Sequence, residues 1–229
     1  RTVRNSFGLQ GRRGQPPSME DCSAACAQGK TPLLHAGENG HAAVCGLLIL
    51  ARADVATSRA QDGETLLHVA ARFGEPDFIA KVVAWRADMG AHDRDGWTPL
   101  HEAAHWGTSA VEALLRAAAD AQARSRDGET PLHVALEGYE QAAVCEALLR
   151  GRADPMIPDV DGEMPLHVAA RKGSSEACRL LLLARAEVNA LDASGRRALD
   201  LARGEAVAGV LSGAGAVRGE AVGPAAPME

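Results

Sequence analysis

Two kinds of short apolar segment alternate along the chain, separated by polar turns. The first kind opens on a leucine and continues with small alanines, as in LHVAARFG (67–74). The second carries larger aliphatic residues at helical spacing, as in EACRLLLLA (176–184). A polar loop such as DRDG (93–96) then leads back to the first kind. This pattern predicts pairs of short helices joined by hairpin-like loops, with close packing along the alanine-bearing face.

The predicted helix pairs recur at a nearly constant interval. A glycine precedes each first segment, and the successive spacings between these glycines are 34, 33, 32, 34 and 33 residues. The glycines are Gly29, Gly63, Gly96, Gly128, Gly162 and Gly195. One helix pair cannot bury its own apolar face, so neighbouring units must stack into a quasi-linear solenoid.

The segments that follow these glycines share one motif. Its clearest copies are GWTPLHEAAHWG (96–107), GETPLHVALEGY (128–139) and GEMPLHVAARKG (162–173). In this motif the chain resembles the ankyrin repeats, whose signature is T-P-L-H-x-A at a period of about 33 residues. The resemblance covers residues 26–213 and implies an all-α ankyrin-repeat solenoid of stacked helix–turn–helix units.

The resemblance divides the chain into repeats, a degraded cap repeat and two tails. The five repeats are 26–59, 60–92, 93–124, 125–158 and 159–191, and the cap is 192–213. Residues 1–25 form a basic N-terminal tail, and residues 214–229 form a Gly-, Ala- and Pro-rich C-terminal tail. Their composition predicts that both tails are irregular.

Residue types at the helix ends predict how the helices begin and end. Thr98 is expected to be an N-cap and Pro99 the first helical residue, where its missing N–H costs nothing. The first helices are expected to end in the left-handed conformation at Gly40, Gly74, Gly107 and Gly173.

Arginine stands where a glycine is usual, in the loop after the second helix of four repeats. A left-handed arginine costs on the order of 1 kcal/mol relative to glycine, and the helix dipole recovers part of this for a cation. The positions are Arg52, Arg86, Arg152 and Arg185. We interpret them as tolerated helix-end arginines; the alternative is a basic ridge that binds an acidic partner.

Composition narrows the class of protein. The net charge is −6, which argues against nucleic acid as a primary partner, because phosphate binding favours a basic surface. The five cysteines are odd in number and scattered, so no disulfide framework is predicted. The longest apolar run, 42–51, is too short to span a bilayer. An intracellular, soluble protein is expected, cytoplasmic by default; the acid-poor residues 1–19 resemble a targeting remnant and make a processed organellar protein the alternative.

One stretch, HEAAHWG (101–107), contains the H-E-x-x-H pattern of zinc hydrolases. A catalytic zinc needs a third protein ligand, and the position of the third histidine in the extended pattern holds Val111. The equivalents of His101 in three other repeats are His68, His133 and His167, and none is followed by Glu and a second His. We therefore interpret His101 as structural; the resemblance implies that it ties the turn to the helix. A zinc hydrolase through His101, Glu102 and His105 remains the remote alternative.

Other chemical motifs point the same way. Cys22 and Cys26 are spaced C-x₃-C, but no second pair stands at metal-binding distance. The sequence contains neither a phosphate-binding P-loop nor a G-x-S-x-G elbow. We predict no catalytic residue, cofactor, metal or small-molecule substrate, and hence a protein that is not an enzyme.

The resemblance implies that binding uses the concave surface, made by the turn tips and the exposed face of the first helices. Four of the seven aromatic residues fall in or beside the variable columns of that surface, and exposed aromatics are typical of binding hot spots. The predicted protein-binding residues are Arg72, Phe73, Arg94, Trp97, His105, Trp106, Glu129, Glu137, Tyr139, Arg171 and Lys172.

These observations predict a non-enzymatic protein–protein interaction module, a scaffold or accessory subunit that grips a protein partner through repeats two to four. The alternative is a structural subunit of a large multi-protein complex, anchored by its tails and by the arginine ridge.

Overall fold

The computed structural model describes residues 3–4, 10–11, 25–26, 29–139 and 141–218. Two-residue strands β1 (Val3–Arg4) and β2 (Gln10–Gly11) pair antiparallel. All other regular elements of the described residues are helices. They are α1 (Pro32–Glu38), α2 (Ala42–Leu50), α3 (Leu66–Phe73), α4 (Pro76–Ala84), α5 (Pro99–Trp106), α6 (Thr108–Arg116), α7 (Pro131–Glu137), α8 (Gln141–Arg150), α9 (Pro165–Lys172), α10 (Ser175–Leu183) and α11 (Glu205–Gly213).

The helices stack in two rows, which confirms the predicted all-α solenoid. The first helices α1, α3, α5, α7 and α9 each contact the next in the row, and so do the second helices from α4 to α11. The leucine at the second position of a first helix, such as Leu67 in α3 and Leu100 in α5, is buried between neighbouring first helices. Fully buried alanines, such as Ala103 and Ala135, let those helices approach closely.

Buried histidines join repeats two, three and four to the repeat that follows. The ring nitrogen Nδ1 of His101 lies 2.8 Å from the hydroxyl of Thr98 and accepts a hydrogen bond from the Thr98 backbone N–H at 3.0 Å. Its Nε2 donates to the carbonyl oxygen of Glu129 in the next repeat at 3.1 Å. His68, His133 and His167 bond in the same way to the carbonyls of Trp97, Glu163 and Ala190. Trp97, Glu129 and Glu163, which each follow a turn glycine, are thereby anchored at the edge of the array.

The arginines of the second-helix loops adopt the predicted left-handed backbone. Their φ angles are 71° at Arg52, 67° at Arg86, 67° at Arg152 and 68° at Arg185. The third repeat has Ala118 at this position, also with φ 67°, which the sequence interpretation did not single out. All five sites therefore carry the strain that a glycine would relieve.

One predicted helix end is wrong. Gly40, Gly74 and Gly173 are left-handed, with φ of 70°, 73° and 82°, but Gly107 is extended at φ 164°, ψ 164°. The third repeat is one residue shorter between its helices, and α6 begins at the very next residue. Gly107 serves as both the C-cap of α5 and the N-cap of α6, so no residue is left for a left-handed turn.

Several predictions fall outside the described residues. Most of the N-terminal tail, Cys22 and residues 219–229 are among them. The domain boundaries therefore stay predictions. In the described part of the chain, no helix is long and apolar enough to cross a membrane.

Candidate functional site

Four of the predicted binding residues form one cluster on the edge of repeats three and four. We call Trp97, His105, Trp106 and Tyr139 the aromatic cluster. The ring centroid of His105 lies 6.0 Å from Trp97, 5.2 Å from Trp106 and 5.8 Å from Tyr139. Trp106 and Tyr139 stack at 5.6 Å with 24° between their planes, yet they remain 44 % and 75 % exposed. The cluster presents aromatic faces to solvent from a fixed geometry.

Gly138 brings Tyr139 to this position. The fourth repeat has one residue more than the others near the end of its first helix, and α7 ends at Glu137. A Cβ added to Gly138 would lie 2.5 Å from the carbonyl oxygen of His105, so only glycine allows this approach. The backbone N–H of Tyr139 then donates to the same carbonyl at 3.3 Å. The extra residue thus places an aromatic ring on the neighbouring repeat.

Phe73 lies at the other side of Trp106. It is 51 % exposed and lines, with Trp106, Thr108 and Ser109, a small surface pocket of about 210 Å³ between repeats two and three. The predicted residue Phe73 therefore belongs to the same stretch of surface, although it lies apart from the stacked rings.

Residues eight positions apart pair with each other along this edge. The first residue follows the turn glycine, and the second lies near the end of the first helix. Lys30 and Glu38 form an ion pair at 2.7 Å, Glu64 pairs with Arg72, and Glu163 pairs with Arg171 at 2.9 Å. In the third repeat the pair is Trp97 and His105. Each of these four repeats thus closes its own edge with an ion pair or a ring contact.

The fourth repeat breaks this rule, because it has two carboxylates, Glu129 and Glu137. Glu137 pairs instead with the next repeat, at 3.0 Å from Lys172 and 3.8 Å from Arg171. Among the described residues, no basic group forms an ion pair with the Glu129 side chain. Burial, followed by the negative charge of Glu137 and two nearby aspartates, raises the pKa of Glu129.

Glu102 is a member of the site that sequence reasoning missed. Its carboxylate pairs with Arg72 of the preceding repeat at 3.2 Å and accepts a hydrogen bond from the Trp106 indole N–H at 3.1 Å. It is 6 % exposed, so these contacts orient the indole firmly. Its spacing of four residues from Trp106 on one helix was the available signal.

The H-E-x-x-H residues are engaged in these contacts. Both ring nitrogens of His101 are hydrogen-bonded, and burial lowers its pKa to about 4. Glu102 is paired with Arg72, and His105 stands among aromatic rings. Within the described residues, no group of three His, Cys, Asp or Glu side chains could hold a metal ion. The pattern is therefore a buried structural histidine, a buried carboxylate that pairs with Arg72, and a half-buried histidine among aromatic rings.

The remaining predicted residues lie around the cluster with partners of their own. Arg94 donates to the carbonyl of Ala60 at 2.7 Å. Arg171 and Lys172, on α9, are bound to the acids already described. The structure thus gathers the predicted residues along one edge; whether they bind a partner stays a prediction.

The comparison with protein families identifies the family of this chain. The model described as "Ankyrin repeats (3 copies)" matches residues 67–159 and 138–215. The chain belongs to the ankyrin repeat family. Ankyrin repeats are protein-interaction modules, so the expected partners of this ankyrin chain are proteins.

Curated relatives match a short part of this ankyrin chain. Protein phosphatase 1 regulatory subunit 12A of Mus musculus is 48 % identical over 48 residues, and the same subunit of Rattus norvegicus matches equally. Those residues are 21 % of this chain and 5 % of each relative. The likeness is therefore to a small part of a much longer regulatory subunit.

Proposed function

We propose that this chain is a non-enzymatic interaction module that binds a protein partner through the concave edge of repeats two to four, as a scaffold or accessory subunit. The observation that carries the proposal is the aromatic cluster. Its rings are held by hydrogen bonds and stacking, yet Trp106 and Tyr139 stay largely exposed. Rigid, exposed aromatic residues ringed by polar groups are typical of binding hot spots.

The partial likeness to a phosphatase regulatory subunit fits an adaptor role. This likeness does not indicate that the chain binds a phosphatase, because it spans so little of that relative. An assembly role through the tails and the arginine ridge is a weaker candidate. Each ridge arginine is followed two residues later by an acid, such as Asp54 after Arg52, so the ridge is not a uniformly basic strip.

The test removes both indoles of the aromatic cluster, the exposed Trp106 and the half-buried Trp97, which packs against the edge of the core. Full-length protein carrying Trp97→Ala and Trp106→Ala is used as bait, and bound proteins are quantified by mass spectrometry against wild type. We expect the specific partners to be lost while the far-ultraviolet circular dichroism is unchanged.

The matched control is Leu183→Ala, which removes an apolar side chain that is 81 % exposed on α10. Its bound proteins should equal those of wild type. If the double tryptophan variant keeps every partner, binding lies elsewhere. If deletion of residues 1–20 and 214–229 removes the partners instead, the tail-anchored alternative is favoured.

A further inference from the structure

The fourth repeat has two negative charges at this edge and lacks the positive charge that balances the edges of repeats one, two and five. In repeats one, two and five, the residue after the turn glycine pairs with an opposite charge eight positions later. In repeat four both positions are acidic, and Glu137 is drawn to Lys172 of the next repeat. The Glu129 carboxylate forms no ion pair among the described residues, although the charge of Arg171 partly offsets the rise in its pKa.

The cations nearby are already engaged. Arg72 is held by Glu64 and Glu102, and Arg171 by Glu163. Arg94 donates to a backbone carbonyl at 2.7 Å. An ion pair between Glu129 and one of these cations would require an existing contact to break. Arg171, whose charge already acts on Glu129, is bound to Glu163 at 2.9 Å.

Aromatic rings lie close to the backbone of Glu129. The carbonyl of Glu129 accepts from His101, and the His101 ring stacks on Trp97 with 6.2 Å between centroids. His105, which contacts Trp97, joins it to the exposed Trp106–Tyr139 stack. An aromatic face attracts a cation through its quadrupole, and the attraction grows where water is excluded.

We propose that the aromatic cluster and Glu129 together receive the side chain of an arginine or lysine from a short basic segment of the partner protein. This inference rests on the function proposed above and names the chemistry of its partner. The aliphatic stem of the basic residue packs on the rings, and its charged end pairs with Glu129. The positive charge of that residue offsets the repulsion from the acidic neighbours that contribute to the raised pKa of Glu129.

The experiment selects peptides rather than cellular proteins. Full-length chain is immobilised, and a library of random short peptides displayed on phage is panned on it. Peptides that survive are synthesised with a fluorophore, and their affinities are measured by anisotropy on wild type and variants. We expect the selected peptides to share a basic residue, and glutamine at that residue to weaken binding at least about tenfold, the equivalent of 1.4 kcal/mol.

Three variants test whether Glu129 pairs with the basic residue of the peptide. Glu129→Gln removes the charge at nearly constant shape and should weaken binding about tenfold. Glu129→Lys supplies the cation internally, opposite Glu137, as Lys30 does opposite Glu38. It should abolish binding while keeping thermal stability at or above that of wild type, so the loss cannot come from unfolding. Glu112→Gln, on an exposed helix face of α6, is the control and should bind as wild type does.

The outcomes separate this inference from the proposed function. Peptides that need Trp97 and Trp106 but share no basic residue, or that bind Glu129→Gln as tightly as wild type, would overturn the inference and leave the aromatic binding surface standing. A selection that yields no peptide, or only peptides indifferent to both tryptophans, would count against both.

Discussion

His101 gives the most quantitative prediction, because its burial makes the fold sensitive to acid. Its side chain is fully buried, and burial lowers its pKa from 6.5 to about 4. The folded state therefore holds this imidazole neutral at a pH where the unfolded chain would protonate it. Stability from this group is complete above pH 6.5 and is lost as pH falls toward the folded pKa.

The size of the effect follows from the width of that window. Each pKa unit is worth 1.36 kcal/mol. The interval from the ordinary pKa of 6.5 down to pH 4.5 spans two units. The chain should lose about 2.5 kcal/mol from His101 alone between pH 7.5 and pH 4.5. His68 and His133, whose pKa values are lowered mainly by burial as well, add losses of the same sign.

The assay is urea unfolding at both pH values, followed by far-ultraviolet circular dichroism, for wild type and His101→Gln. The variant should start less stable, because glutamine cannot replace every hydrogen bond of the ring, but it should lose about 2.5 kcal/mol less on acidification. His41→Gln, which changes an exposed histidine at the start of α2, should keep the wild-type loss. Equal losses in wild type and His101→Gln would refute the reasoning.

Further predictions test backbone strain, close packing and thiol burial. Ala118→Gly should stabilise the fold by about 1 kcal/mol by relieving φ 67°, seen as a higher urea midpoint at unchanged slope, whereas Ala117→Gly at φ −82° should not. Gly138→Ala should destabilise by at least about 1 kcal/mol and alter the near-ultraviolet signal of the tryptophans, because its Cβ meets the His105 carbonyl; Gly209→Ala, on α11 with open space around it, should not. Three thiols should stay unreactive toward a disulfide reagent at pH 8 until the protein unfolds, because burial raises their pKa values to about 11, 12 and 11. They are Cys45, Cys145 and Cys178.

The sequence predicted what the repeats share, because shared features are read by comparing copies. Thr98 and His101 recur in other copies, so their joint role at the helix start could be separated from the zinc pattern. The left-handed arginines were predictable for the same reason, since a fixed loop length requires the same backbone at each copy. Their φ angles of 67–71° confirm this.

Features that occur in one repeat only, or that depend on two repeats at once, were not predictable in the same way. The extended Gly107 arises from a single missing residue, which a column alignment records as a gap and not as a geometry. The pairing of Glu102 with Arg72 joins side chains 30 positions apart, and their contact depends on how the first helices stack. The sequence placed the aromatic residues on one surface, but it could not show that Gly138 brings Tyr139 onto Trp106.

The placement of these exceptions is itself informative. In a solenoid, stability is approximately a sum over repeats and their interfaces, so one repeat can give up a stabilising pair while its neighbours hold the array. Repeat three replaces the edge ion pair with aromatic rings, and repeat four replaces it with two carboxylates. Gly138 in repeat four lies so close to the His105 carbonyl that no residue with a Cβ would fit. Ion pairs on a surface contribute little each, so their loss costs the fold about 1 kcal/mol or less. A binding surface can therefore be built at this edge at small expense, and the residues that differ from the repeat pattern are the ones to test for it.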